Sequence, residues 1–269
     1  MKQRAAAVGL ALALAIGLAP ALDAQYNPSS RLQPRGLGVS PTFEGWYRNA
    51  DGTYTLSFGF FNRNTEEILT IPVGEQNFVS PGEADQGQPT HFTPSRAYGV
   101  FTVTVPADFG GDDRVTWTLE HAGERYAIPG GILESYETAN LHAPAINRYP
   151  PIMVLEEGRP EVQGPNGDRI EMTARVGQPL ALRVRAWDQL GTPVTIRWYK
   201  YRGPGEITFS EDVVPLGEGS TEAVTTASFT TPGDYVVYAR ADHTDRRVAE
   251  AGLEQCCWTN GYISVRVSN

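Results

Sequence analysis

The stretch Thr231-Pro-Gly-Asp-Tyr-Val-Val-Tyr-Ala-Arg-Ala-Asp242 decides the fold. Pro232-Gly233 closes a turn. From Tyr235 the chain alternates, with Tyr235, Val237 and Ala239 on one face and Val236, Tyr238 and Arg240 on the other. Alternation with period two is the mark of a half-buried β-strand. This strand reads as the centre of a C-terminal β-sandwich.

Its neighbours carry the same period. Leu180, Leu182, Val184 and Ala186 share one face while Arg183 and Arg185 point out. Val194, Ile196 and Trp198 form the apolar set of the next strand, with Tyr199 and Tyr201 out of phase with Trp198 as an exposed aromatic pair. Further strands are expected at 170–176, 207–209, 222–229 and 262–267. Residues 242–260 read as a charged excursion, with Val248, Ala249 and Leu253 at loose helical spacing.

The N-terminal half is also strand and turn. Asp51-Gly52 favours a hairpin between Phe43–Arg48 and Tyr54–Asn62, with Tyr54, Leu56, Phe58 and Phe60 on one face. Gly45 and Gly59 inside these strands signal bulges or close backbone approach. Strands follow at 96–105, 114–120 (Val115, Trp117 and Leu119 inward) and 125–128. Residues 74–95 form a long polar loop, which in a compact domain is either functional or ordered by its own contacts. Phe78, His91 and Phe92 are placed to tack it down. The expected class is therefore all-β, with two β-sandwich domains in tandem. The boundaries fall at 41–150, ending in a linker with Pro144, Pro150 and Pro151, and at 151–269.

The N-terminus reads as an export signal. Lys2 and Arg4 precede the apolar run Ala5–Ala19, which is short for a membrane span, and Ala24 is a cleavage position. Residues 25–40 read as a flexible tether. Gly 28 and Pro 20 suit a turn-rich β protein, and the net charge is −9. Losing Lys2, Arg4 and Asp23 with a cleaved leader leaves 20 bases against 30 acids, a surface that repels nucleic acid and anionic lipid. No apolar run is long enough for a further membrane span.

Residues 165–269 resemble the bacterial immunoglobulin-like and PKD-type modules of exported proteins. The resemblance is carried by Val176-Gly-Gln-Pro-Leu-Ala-Leu-Arg-Val184, Ile196-Arg-Trp198, Gly203-Pro-Gly205, Ala227-Ser-Phe229, Pro232-Gly-Asp-Tyr235 and Gly261-Tyr-Ile-Ser-Val-Arg-Val267. It implies a core tryptophan at Trp198 and a tyrosine corner at Tyr235.

Chemistry-bearing residues are few in pattern. Cys256 and Cys257 are adjacent; a vicinal disulfide is the favoured reading, beside an interchain bridge or free thiols. The paired acids lie at turns and do not converge. The four histidines show no metal-ligand spacing. Asp242, His243 and Asp245 form the one metal candidate, with calcium as the one cofactor reading. Trp46, Tyr47, Tyr199 and Tyr201 are the candidate aromatic binding surface. The expected function is a non-catalytic binding or structural module of the cell envelope, secreted or periplasmic. It would contact protein or glycan through the 74–95 loop and the 242–260 excursion. An exported hydrolase with an inter-domain site and a subunit of an extracellular filament are the alternatives.

Overall fold

The computed structural model describes residues 32–138, 148–243 and 258–269. The leader, residues 25–31 of the tether, part of the linker, Asp245 and both cysteines lie outside the described residues.

The N-terminal half carries eight strands: β1 (Val39–Arg48), β2 (Tyr54–Asn62), β3 (Leu69–Thr70), β4 (Asn77–Ser80), β5 (His91–Phe92), β6 (Ser95–Val105), β7 (Val115–His121) and β8 (Glu124–Gly130). Two three-stranded sheets, β1-β2-β6 and β4-β7-β8, face each other, and β3 pairs with β5 beside them. The expected faces are the observed ones. Leu56, Phe58, Val115, Trp117 and Leu119 are all buried. Phe101 stacks on Phe58 at 5.3 Å and meets Trp117 edge-on at 4.9 Å.

Both strand glycines sit at irregularities. The β1–β2 register shifts between Phe43 and Gly45, and the β2–β6 register between Phe58 and Phe60. A Cβ on Gly59 would lie 2.5 Å from Glu44 Oε1. The missing side chain at Gly59 is what lets the buried Glu44 carboxylate sit there.

The C-terminal half carries β9 (Ile152–Val154), β10 (Asp168–Arg175), β11 (Leu180–Trp187), β12 (Val194–Arg202), β13 (Ile207–Phe209), β14 (Val213–Pro215), β15 (Glu222–Phe229), β16 (Gly233–His243) and β17 (Trp258–Ser268). They form a five-stranded sheet, β10-β17-β16-β12-β14, over a four-stranded one, β13-β15-β11-β9. β10 runs parallel to β17, and the other pairs are antiparallel. Trp198 lies in the core between the sheets with Leu182, Val184, Ile196, Val237 and Ile263. Tyr235 makes the tyrosine corner. Its hydroxyl donates to the Thr231 carbonyl at 2.8 Å and accepts from the Gly205 N–H at 3.0 Å. This is an immunoglobulin-like sandwich.

Three expectations change. The β16 strand is buried on both faces: Tyr235, Val237 and Ala239 fill the C-terminal core, and Tyr238 belongs to the N-terminal one. Tyr201 is not half of an exposed pair; only 3% of its surface is exposed. The last strand begins at Trp258, so Trp258, Thr259 and Asn260 of the expected excursion are buried strand residues. One cause explains all three. The N-terminal sandwich packs on the outer face of the five-stranded sheet, and Gln33–Asn269 is one compact unit.

Candidate functional site

The seam between the sandwiches is built on a tyrosine ladder. Tyr199, Tyr238 and Tyr262 are directly paired across β12, β16 and β17. Tyr238 stacks on Tyr262 at 5.5 Å and on Tyr199 at 5.7 Å, and Tyr201 meets Tyr262 edge-on at 5.4 Å. Aromatic pairs at such spacings stabilise a sheet face beyond the area they bury. The Arg169 guanidinium covers the Tyr262 ring at 4.1 Å.

The hydroxyls then cross the seam. Tyr262 donates to the Val100 carbonyl at 2.7 Å, and Tyr201 to the Gly87 carbonyl at 2.6 Å. Buried Asn260 donates to the carbonyls of Gly99 (2.7 Å) and Pro165 (2.8 Å) and accepts from the Tyr238 hydroxyl at 2.7 Å. These bonds satisfy polar groups that would otherwise cost about 1–3 kcal/mol each to bury. Burial raises the phenol pKa of Tyr262 to about 12 and those of Tyr201 and Tyr238 well above the ordinary value.

The 74–95 loop is the bracket of this seam. Thr90 donates its N–H to the Tyr201 carbonyl at 3.2 Å. Asp85 takes both Arg202 amino groups at 2.8 Å, and Arg202 Nε donates to the Gln88 carbonyl at 2.8 Å. The Arg202 bonds hold the Asp85 carboxyl below its usual range. The loop is also ordered from within. Asn77, fully buried, donates to the carbonyls of Ile71 and Pro89 and accepts from Trp117 Nε1 at 3.0 Å. Phe92, fully buried, packs edge-on against Phe60 at 5.0 Å.

Beside the ladder the seam opens into a cavity of about 250 Å³. From the N-terminal sandwich it is lined by Phe60, His91, Pro94, Arg96 and Val100. From the C-terminal sandwich come Tyr199, Lys200, Tyr201, Tyr238 and Arg240. Arg96 marks the mouth with 40% of its side chain exposed. Glu44 fixes it, accepting from Arg96 Nη2 at 3.1 and 3.2 Å, so the gap at Gly59 is what positions this cation. Arg240 lies deep, 4.7 Å over the Trp258 ring, and its Nε donates to Asp242 at 2.7 Å. Burial opposes the Arg240 charge, but Asp242 and the neighbouring tyrosines raise its pKa overall.

Lys200 borders the cavity from the end of β12. It pairs with Val237 and keeps the phase of Trp198; the β12–β16 register shifts only beyond it, so that Tyr201 and Arg202 both reach the seam. Bulges re-aim side chains in this way. Only 9% of the Lys200 side chain is exposed, and the ion partner Glu206, itself 78% exposed, stands 3.7 Å away. That separation exceeds hydrogen-bond length. Burial, with the Lys200 charge, holds the His91 pKa down at about 4, so its ring is neutral at ordinary pH.

The site residues read from sequence are placed as follows. Trp46 and Tyr47 are buried, and Trp46 Nε1 donates to the Leu133 carbonyl at 2.7 Å. Tyr199 and Tyr201 belong to the seam and wall the cavity. Asp242 is held by Arg240, with Arg197 3.7 Å away. His243, on the opposite phase of β16, has Nε2 3.2 Å from buried Asp188. The two side chains of the metal candidate are thus turned to different partners. Among the described residues no group of three His, Cys, Asp or Glu gathers to hold a metal. Sequence reading missed His91, Arg96, Lys200 and Arg240 as neighbours, because they come from different strands of two sandwiches. The available signal was a run of tyrosines on the outward phase of β12, β16 and β17.

Sheet order defines the class, two β-sandwiches in series, and the core tryptophan and tyrosine corner mark the C-terminal one as immunoglobulin-like. No protein-family model and no curated protein matches the chain. Among solved structures it is similar to the D00-D0 domain of intimin, at 12% identity over 86% of this chain and 100% of that one, with a TM-score of 0.29. It is similar to domains 4 and 5 of the S-layer protein SbsC, at 12% identity over 63% and 71% with a TM-score of 0.26. The titin Ig tandem A164-A165 gives 12% identity over 86% and 99% with a TM-score of 0.23.

Proposed function

We propose that this chain is an exported, non-catalytic binding module of the cell envelope, with a C-terminal sandwich of the PKD kind. It contacts protein or glycan through the cleft at the seam of its two sandwiches. The observation that carries the reading is that cleft, an aromatic-walled cavity of about 250 Å³ held between two sheets that a buried hydrogen-bond network locks together. Concave sites with apolar walls and a few placed polar groups are where small ligands bind. The titratable groups there suit holding more than proton transfer. His91 stays neutral down to about pH 4, and burial raises the Tyr199 pKa. Neither changes its proton near neutrality, where a general acid or base works best. Export is supported by Lys2 and Arg4 ahead of the apolar run Ala5–Ala19, and no helix among the described residues is long and apolar enough to cross a membrane.

The test exposes the immobilised mature protein to a panel of envelope glycans and peptides. Saturable binding is expected, with the ligand recovered intact. Tyr199→Ala should weaken it by about tenfold, equivalent to roughly 1.4 kcal/mol, without shifting the thermal midpoint by more than a few degrees. Ligand recovered cleaved would make the protein a hydrolase. Binding indifferent to Tyr199 and Arg96 substitutions would move the site away from the cleft.

A further inference from the structure

We propose that β10 is a docking edge for a second copy of this chain, joining two five-stranded sheets edge to edge across a two-fold axis at Thr173. An unpaired strand edge is a template for another strand, and proteins blunt such edges. Several edges here are blunted. The end strands β13 and β14 have three residues each. β8 carries Pro129, and the Gly99 and Val100 carbonyls of β6 are taken at the seam. β1 is covered where Thr138 donates its N–H to the Trp46 carbonyl at 2.7 Å. β10 has eight residues and pairs only with β17. Its first turn of edge is guarded, because Arg159 Nη2 donates to the Arg169 carbonyl at 3.0 Å. Peptide groups alternate in direction along a strand. Those of Glu171 and Thr173 therefore point with that of Arg169, away from β17.

The unguarded part of this edge is complementary to itself. Run antiparallel about Thr173, Glu171-Met-Thr-Ala-Arg175 sets Glu171 opposite Arg175 of the second copy and Met172 opposite Ala174 of the second copy. Thr173 meets its own counterpart, and each other contact recurs across the axis. Glu171, Thr173 and Arg175 are exposed, while Met172 and Ala174 are half-buried against the core. Among the described residues neither Glu171 nor Arg175 has an ion-pair partner within the chain. Opposite charges and paired threonines both stabilise neighbouring strands, and like charges oppose them. The adjacent registers fail on that rule. About Glu171 two acids face each other, and about Met172 Arg169 faces Arg175 of the second copy. About Ile170 an aspartate, Asp168, is set against Met172 of the second copy, and about Ala174 Glu171 faces only a glycine, Gly177.

A groove of about 490 Å³ opens beside the same edge, between β10 and β11, with Ile170, Met172, Val184 and Ile263 in its lining. A second strand on β10 shields it from water. A contact of this length falls short of the roughly 1,200–2,000 Å² of a standard stable interface, so the dimer is weak and exchanging. The same patch serves both copies, so the assembly closes at two and does not grow into a filament.

Sedimentation equilibrium of the mature protein tests this, with reductant present so that Cys256 and Cys257 cannot join chains. At about 0.15 M salt the Debye length of about 8 Å screens the net charge of −9 but spares pairs in contact. A reversible monomer–dimer equilibrium is expected. Glu171→Arg and Arg175→Glu should each weaken it by about tenfold, because each turns two attractive pairs into repulsive ones. The double variant should recover to within about threefold of the parent. Thr173→Pro removes an N–H that points off the sheet and should abolish the dimer, with the thermal midpoint shifted by no more than a few degrees. A monomer at every concentration overturns the proposal. So does a dimer indifferent to these substitutions, or single variants whose loss the double variant does not recover.

Discussion

Tyr262→Ala should destabilise the protein by about 3–5 kcal/mol, the range for truncating a large buried aromatic. The ring is 1% exposed and touches Tyr201, Tyr238 and Arg169, so little can collapse into the space. Tyr262→Phe isolates the polar part. It keeps the stack but removes the shorter of two hydrogen bonds to the Val100 carbonyl, leaving the Tyr201 hydroxyl at 3.3 Å, at a cost of about 0.5–1.5 kcal/mol. Tyr262 lies on the outer face of its sheet, while Ile263 fills the C-terminal core. The loss therefore falls on the seam and not on either sandwich. Denaturant unfolding of Tyr262→Ala should show two transitions where the parent shows one. A loss below 1 kcal/mol with a single unchanged transition would mean that the sandwiches do not depend on this contact.

Asn77→Leu should cost a comparable amount, about 3–5 kcal/mol. The shape is nearly kept, but the carbonyls of Ile71 and Pro89 and the Trp117 N–H all lose their partner inside the core. Each unsatisfied group is worth about 1–3 kcal/mol, with some relief from relaxation or water entry. The effect reaches function because this amide pins both ends of the loop that carries His91 and Pro94 to the cleft. Chemical denaturation and ligand titration of the same variant check both parts. Affinity should fall even under conditions where the variant is still folded. A variant that is destabilised yet binds normally would show that the loop holds its shape without Asn77.

Much of the fold was legible because burial follows strand phase. β7 and β11 show their inward faces in the sequence, and Trp198 and Tyr235 occupy the places the resemblance gave them. The seam was not legible, for a physical reason. Period two separates two faces but does not say whether the outer one meets water or another sheet. Tyr199 and Tyr201 therefore read as an exposed pair and Tyr238 only as lying opposite Tyr235, although three tyrosines in register on adjacent strands, with Tyr262 the third, is itself unusual for a wetted face. Thr55 and Ser57 mislead in the same way, being polar, out of phase with Leu56, and buried. The asparagines hide differently. Asn77 and Asn260 are residues that commonly mark turns, yet each sits fully buried as a hydrogen-bond hub. Arg202, by alternation on the phase of Trp198, was hidden by the bulge that turns it to the seam and to Asp85, which sequence alternation cannot register.

Spectrophotometric titration of the twelve tyrosines tests the seam most directly. A solvent-facing tyrosine ionises near pH 10. If the N-terminal sandwich covers the sheet, burial holds Tyr262 at about 12 and Tyr201 and Tyr238 well above 10. A raised folded pKa adds stability that is fully present below the unfolded value and is lost as pH rises through the folded value. The late class should therefore ionise only above about pH 10, together with the opening of the seam and the loss of near-ultraviolet circular dichroism. Tyr262→Phe should remove one member of that class. Twelve tyrosines ionising together in the ordinary range, with circular dichroism intact, would contradict the seam and leave the cleft without its wall.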